Sequence, residues 1–123
     1  MKIRIRGNSI RFRLTQNEVK ELSETGRCEE RCHFSETVLI YALELQDNIN
    51  ELQADFKANT VTLGVPKSLG SDWYTNNKVG FEHTMTLTDG NELFLLLEKD
   101  FACLDNAIED QSDNYPNPKA DVC

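Results

Sequence analysis

The sequence predicts an α+β fold: one domain with a mainly antiparallel, curved sheet or partial barrel of about seven or eight strands, and one or two helices. Three observations predict it. Apolar and charged residues alternate with a period of two along most of the chain. Turn dipeptides (Gly7-Asn8, Ala58-Asn59 and Asp89-Gly90) interrupt those runs at hairpin spacing. One stretch after Leu14 carries a full set of helix start and stop signals. Hairpin signals outnumber helices, so a parallel βαβ architecture is not expected.

The opening, KIRIRGNSIRFRL, reads as a hairpin with Gly7 and Asn8 as its loop. That register sets Arg6 opposite Ser9, Ile5 opposite Ile10, Arg4 opposite Arg11, Ile3 opposite Phe12 and Lys2 opposite Arg13. Side chains alternate between faces, so Ile3, Ile5, Ile10 and Phe12 share one face, and Lys2, Arg4, Arg6, Arg11 and Arg13 share the other. A helix follows. Thr15 is its N-cap, Glu18 completes a capping box, Leu14 and Val19 form a hydrophobic staple, and Gly26 suits the C′ position.

The segments RCEERCHF and ETVLIYALEL read as strands. The second is apolar on both faces, as a central strand would be. Leu52, Ala54 and Phe56 alternate before Ala58-Asn59, and Val61, Leu63 and Val65 alternate after it, giving a second hairpin. Residues 66–74 suggest a short helix interrupted by Gly70. Val79, Phe81, His83, Met85 and Leu87 alternate before the Asp89-Gly90 turn, and the chain returns through Leu93 to Leu97. The domain is expected over residues 1–103. Residues 104–123, with five acids and two prolines, form an acidic tail that is either docked or mobile.

Charge narrows the function classes. The chain carries a formal net charge of −8, yet residues 1–13 hold five cations and no acid, which leaves −13 on the rest. A net acidic body argues against general nucleic-acid binding. No run reaches the roughly 18–20 apolar residues of a membrane span, and no apolar signal-peptide core is present. With four sparse, irregularly spaced cysteines, a cytoplasmic location is expected. Like charges facing each other across a hairpin repel, so negative charge is expected over the cationic face. Its source is either the protein's own carboxylates, from a neighbouring strand or the tail, or a bound anion or acidic partner. The five cations Lys2, Arg4, Arg6, Arg11 and Arg13 are therefore the candidate binding residues.

Other constellations are weaker. On a helix Cys28 and Cys32 would lie one turn apart and could share an ion; on the strand expected here they share a face but lie roughly 13 Å apart, too far to chelate one zinc ion or form a disulfide, and His33 faces the other way. Cys103 and Cys123 are the remaining metal or disulfide candidates, if the tail folds back. His83, between Phe81 and Met85, reads as a half-buried core histidine; a general base would need a reacting proton within reach. Asp100, Asp105, Glu109, Asp110 and Asp113 lack the spacing of a calcium loop. No phosphate loop, dinucleotide fingerprint, serine elbow or HExxH is present, and no cofactor is implied.

KIRIRGNSIRFRL at the start, LEKDFACL at 97–104 and EDQSDNYPNP at 109–118 together resemble a family of short bacterial proteins of unknown function. The resemblance implies a cytoplasmic bacterial protein and carries no catalytic residue with it. The alternating cations are also similar, more loosely, to those of triphosphate-tunnel enzymes. That likeness would make Lys2, Arg4, Arg6, Arg11 and Arg13 one wall of a tunnel, with Glu44, Glu82 or Glu98 as metal-binding residues. The tunnel family's Glu-x-Glu-x-Lys opening is absent. Two expectations for function follow: a non-enzymatic module that binds an anion or acidic partner, or a small metal-dependent phosphate-handling enzyme. A cysteine-centred metal or redox protein is a third.

Overall fold

The computed structural model describes residues 1–101. Eight strands form two four-stranded sheets that pack face to face around one core. The strands are β1 (Lys2–Arg6), β2 (Ser9–Leu14), β3 (Arg27–His33), β4 (Val38–Gln46), β5 (Gln53–Lys57), β6 (Thr60–Pro66), β7 (Gly80–Thr86) and β8 (Glu92–Lys99). Two helices, α1 (Gln16–Thr25) and α2 (Lys67–Gly70), and a 3₁₀ turn at Trp73–Thr75 complete the described fold. Sheet A has the order β1-β2-β8-β7, and sheet B the order β3-β4-β6-β5.

The sequence pattern accounts for three of the four antiparallel hairpins, β1-β2, β5-β6 and β7-β8; the fourth, β3-β4, joins two segments that read only as strands. In the first, Gly7 takes φ +55° at the leading turn position, where a type II′ turn favours glycine. The register is the one that alternation predicts, from Lys2 opposite Arg13 to Arg6 opposite Ser9. How hairpins join was not legible. In each sheet two hairpins meet through their second strands, β2 beside β8 and β4 beside β6, and both of these pairs are parallel. The expected single curved sheet is thus two sheets, and they do not close into a barrel.

Alternation then decides what is buried. Phe12 and Leu14 of β2 and Leu95 and Leu97 of β8 face Cys28, Leu43, Leu63 and Val65 of sheet B. The helical elements pack together at the end of the sandwich where β2 and β6 finish. Ser23 ties α1 to them, its hydroxyl donating to the Gly70 carbonyl at 2.8 Å and accepting from the Tyr74 N–H at 3.3 Å. Trp73 is fully buried there, its indole N–H donating to the Lys78 carbonyl at 2.8 Å and its ring tilted against Phe81 at 5.2 Å. At the opposite end none of the described helices covers the sheets, and Ile5, Phe34 and Phe56 are each more than 60% exposed.

One carboxylate joins three elements. Glu18 accepts from the Thr15 N–H at 2.8 Å, closing the capping box, and also pairs with the Met1 ammonium at the start of β1. The same ammonium lies 3.0 Å from Glu30 of β3, whose other oxygen is 3.5 Å from the Tyr41 hydroxyl. Burial would push the Glu18 carboxyl up, but its hydrogen bonds to the ammonium and to Thr15 outweigh this and hold it below its ordinary 4.5. Burial likewise opposes the ammonium, yet Glu18 and Glu30 together raise it above 8.0.

Glu18→Gln keeps the cap geometry, since glutamine serves at the third helical position, but removes the charge. The variant is expected to lose about 1 kcal/mol of stability, read as a lower Tm. Glu18 is depressed, so its contribution fades as pH falls below 4.5; the ammonium is raised, so its contribution fades as pH climbs past 8.0. The Tm gap between parent and variant should therefore be widest between those values and shrink on both sides. A gap that does not vary with pH would rule the ion pair out as its source. In the β5-β6 turn, Ala58 and Asn59 both have positive φ, +51° and +60°. A left-handed alanine is strained by its Cβ, so Ala58→Gly is expected to stabilise the protein by about 0.5–1 kcal/mol, measured by urea unfolding.

Candidate functional site

Burying Ile3, Ile10 and Phe12 between the sheets turns Lys2, Arg4, Arg6, Arg11 and Arg13 onto the opposite face of sheet A. The structure brings all five together as expected. What the sequence did not disclose is their neighbour. The parallel register sets Arg11 beside Leu96 and Arg13 beside Glu98, so β8 contributes Phe94, Leu96 and Glu98 to the same face. Beyond β8, the register adds Glu82 of β7 opposite Leu96.

Part of the predicted negative charge comes from this neighbouring strand. A single Glu98 oxygen lies 3.5 Å from Arg13 Nε and 3.9 Å from Arg11 Nε. One carboxylate oxygen shared at these lengths gives weak pairing, not the short two-pronged bond of which arginine is capable. Asp100, just past β8, sits 3.1 Å from Lys2 Nζ, and its backbone N–H donates to the Leu14 carbonyl. Lys2 remains three-quarters exposed, so this pair is worth little. Arg6, at the turn end of β1, makes no ion pair with any described carboxylate.

The face is open. A cleft of about 780 Å³ lies beside it, lined in part by Glu51, Asp72, Lys78, Glu82, Leu96 and Glu98. Gly80 lines it too, where a Cβ would come within 2.2 Å of the Leu97 carbonyl oxygen, so the backbones of β7 and β8 approach closely only because that residue is glycine. A second cleft, of about 370 Å³, is lined by Leu14, Val19, Tyr74, Lys99, Asp100 and Phe101 among others. None of the five cations lines either cleft. The sequence carried no signal for the first cleft, because Glu51, Asp72 and Lys78 come from three separate connections.

The other candidates do not converge. Cys28 is buried on β3 and Cys32 exposed, both are free thiols, and burial pushes the Cys28 thiol up to about 12. That pKa makes Cys28 a core residue and a poor nucleophile at neutral pH. His33 lies on the other face of β3 and is exposed. Among the described residues no three His, Cys, Asp or Glu side chains are placed to hold a metal ion. Cys103, Cys123, Asp105, Glu109, Asp110 and Asp113 lie outside the described residues. His83 is half-buried as expected, with Nδ1 3.5 Å from Glu51. Glu44 pairs with Arg27 at 2.7 Å on sheet B, away from Glu82 and Glu98 on sheet A. The cations point out of the sandwich rather than into an enclosed lumen, so the tunnel arrangement is not formed.

Among the described residues no helix is long and apolar enough to cross a membrane. No curated protein and no solved structure shows significant similarity to the chain. A family match does extend over residues 1–119, which takes in both sheets, both helices and all five cations; the chain belongs to the family of unknown function DUF7009.

Proposed function

We propose that the protein is a binding module whose cationic face, Lys2, Arg4, Arg6, Arg11 and Arg13, takes an acidic partner. The observation that carries this reading is the gathering of five cations on one face of sheet A, with Lys2, Arg4 and Arg6 exposed there. Shape favours an extended acidic segment of a protein over a small anion. Small ligands are held in concave sites, whereas these cations lie on a sheet face and line neither cleft. Phe94 and Leu96 of β8 lie beside the arginines and offer a partner some apolar contact. This reading places the protein in the cytoplasm, where the free Cys28 and Cys32 would stay reduced.

The test is binding of hexaglutamate to the full chain by calorimetry, against the double variant Arg4→Gln with Arg6→Gln. Both side chains lie on exposed β1 positions, so the fold should be kept, which circular dichroism checks. Affinity should fall about tenfold or more, since each charge-assisted contact is worth roughly 1.5–3 kcal/mol, and wild-type binding should weaken as salt rises. Equal affinity of the two proteins would overturn the assignment to this face. Hydrolysis of triphosphate by the wild type in Mg²⁺ or Mn²⁺ would replace the reading with an enzymatic one.

A further inference from the structure

The larger cleft differs in sign from the cationic face. At about 780 Å³ it falls within the range of small-molecule sites, roughly 300–1,000 Å³. Its walls come from α2, from the connections before β5 and β7, and from β7 and β8 themselves. Leu69, Val79, Phe81 and Leu96 make part of it apolar, and Val79 is 53% exposed. Four carboxylates, those of Glu51, Asp72, Glu82 and Glu98, line it against one ammonium, that of Lys78. Three of these charges are already engaged. Glu98 is shared by Arg11 and Arg13, Glu51 lies 3.5 Å from His83 Nδ1, and Lys78 Nζ sits 5.8 Å from the centre of the Phe81 ring. The exposed Asp72 and Glu82 carboxylates make no hydrogen bond or ion pair with a described residue. One precedes the 3₁₀ turn and the other stands on β7, so they approach the cleft from separate elements.

We propose that this cleft binds a small aliphatic diamine, with Asp72 and Glu82 each taking one ammonium group and Leu69, Val79, Phe81 and Leu96 covering the hydrocarbon chain between them. The surplus of carboxylates disfavours an anion. Among the described residues no three His, Cys, Asp or Glu side chains are placed to hold a metal ion, and a metal ion would leave the apolar wall without a use. An alkylammonium answers both parts of the lining. Its N–H groups donate charge-assisted hydrogen bonds to carboxylates, and its methylene groups gain by leaving water for apolar surface. Two open carboxylates on separate elements favour two cationic ends over one. The site is independent of the cationic face and stands whether or not that face takes an acidic partner.

The test is calorimetric titration of the full chain with 1,8-diaminooctane and, in parallel, 1,4-diaminobutane, at fixed ionic strength. Two variants accompany the parent protein. Asp72→Asn with Glu82→Gln removes the two open carboxylates of the cleft. Glu36→Gln with Glu92→Gln removes the same charge from exposed positions that line neither cleft. The dissociation constant for 1,8-diaminooctane is expected to rise about tenfold or more in the first variant, as the loss of one charge-assisted contact requires, and by less than about twofold in the second, where only screened, distant charge is lost. The longer diamine should bind the parent about fivefold or more tighter than the shorter one, because the two carry equal charge and differ in methylene groups. A readout that needs no variant is the NMR spectrum of the parent, in which the amide resonances of Val79, Gly80 and Glu82 should move as 1,8-diaminooctane is added. Absence of binding, or resonances that stay fixed at these three positions, would overturn the proposal. Affinity that is unchanged in the cleft variant, or that falls equally in both variants, would overturn it too. Equal affinity for the two diamines would reduce the interaction to charge alone and likewise defeat it.

Discussion

The two-residue period of the first hairpin is the constraint on which the rest of the molecule turns. Ile3, Ile10 and Phe12 cannot reach the core of the sandwich without turning five cations to the opposite face. Arg4 faces Arg11 and Lys2 faces Arg13 across the ladder, an arrangement that costs stability in an isolated hairpin. The hairpin is held in place instead by what lies beneath and beside it. Beneath, Phe12 and Leu14 are buried against the other sheet; beside, β8 runs in register along β2 and brings Glu98 to two of the arginines. Apolar burial supplies the stabilisation, and charge is arranged on what remains.

A second dependence runs through α1. Its N-cap is local, Thr15 with Glu18, but the same Glu18 reaches the Met1 ammonium and so fixes the start of β1 relative to the helix. Glu30 on β3 meets that ammonium from the other sheet. One small cluster of charge therefore sets where sheet A begins against sheet B, at the end of the sandwich where Trp73 and the short helical elements are packed. Among the described residues the opposite end has no such closure, and Ile5, Phe34 and Phe56 are exposed there although their segments read as ordinary half-buried strands.

Features written in neighbouring residues were legible in the sequence. The Gly7-Asn8 turn fixed the register of β1 with β2, and the Thr15–Glu18 box with Gly26 fixed both ends of α1, whose observed cap is at Gly26 with φ +84°. β4 was recognised as central because it is apolar on both sides, and it lies between β3 and β6. The hidden features depend on partners far apart in the chain. Nothing near β2 announces that β8 will lie parallel to it, because a parallel pair needs no turn to declare it. For the same reason the expected acid over the arginines could be given a kind, a neighbouring strand's Glu or Asp, but not the identity Glu98. Trp73 was also opaque: the segment around Gly70 has weak local preferences, and its shape, α2 followed by a 3₁₀ turn, is set by burial of the indole.

The two sheets are nested along the chain. Sheet B is made wholly from β3 to β6, while sheet A takes its strands from either side of that block, β1 and β2 before it and β7 and β8 after it. On the ribosome, where the N-terminal part is made first, the five cations therefore emerge before any of the strands that will flank or cover their hairpin. Sheet B can assemble from contiguous chain while β2 still lacks its neighbour on one side. Only β8, the last of the described strands, closes sheet A, and the same strand delivers Glu98 and leads directly into Asp100. The cationic face is thus composed jointly by the earliest and latest of the described strands.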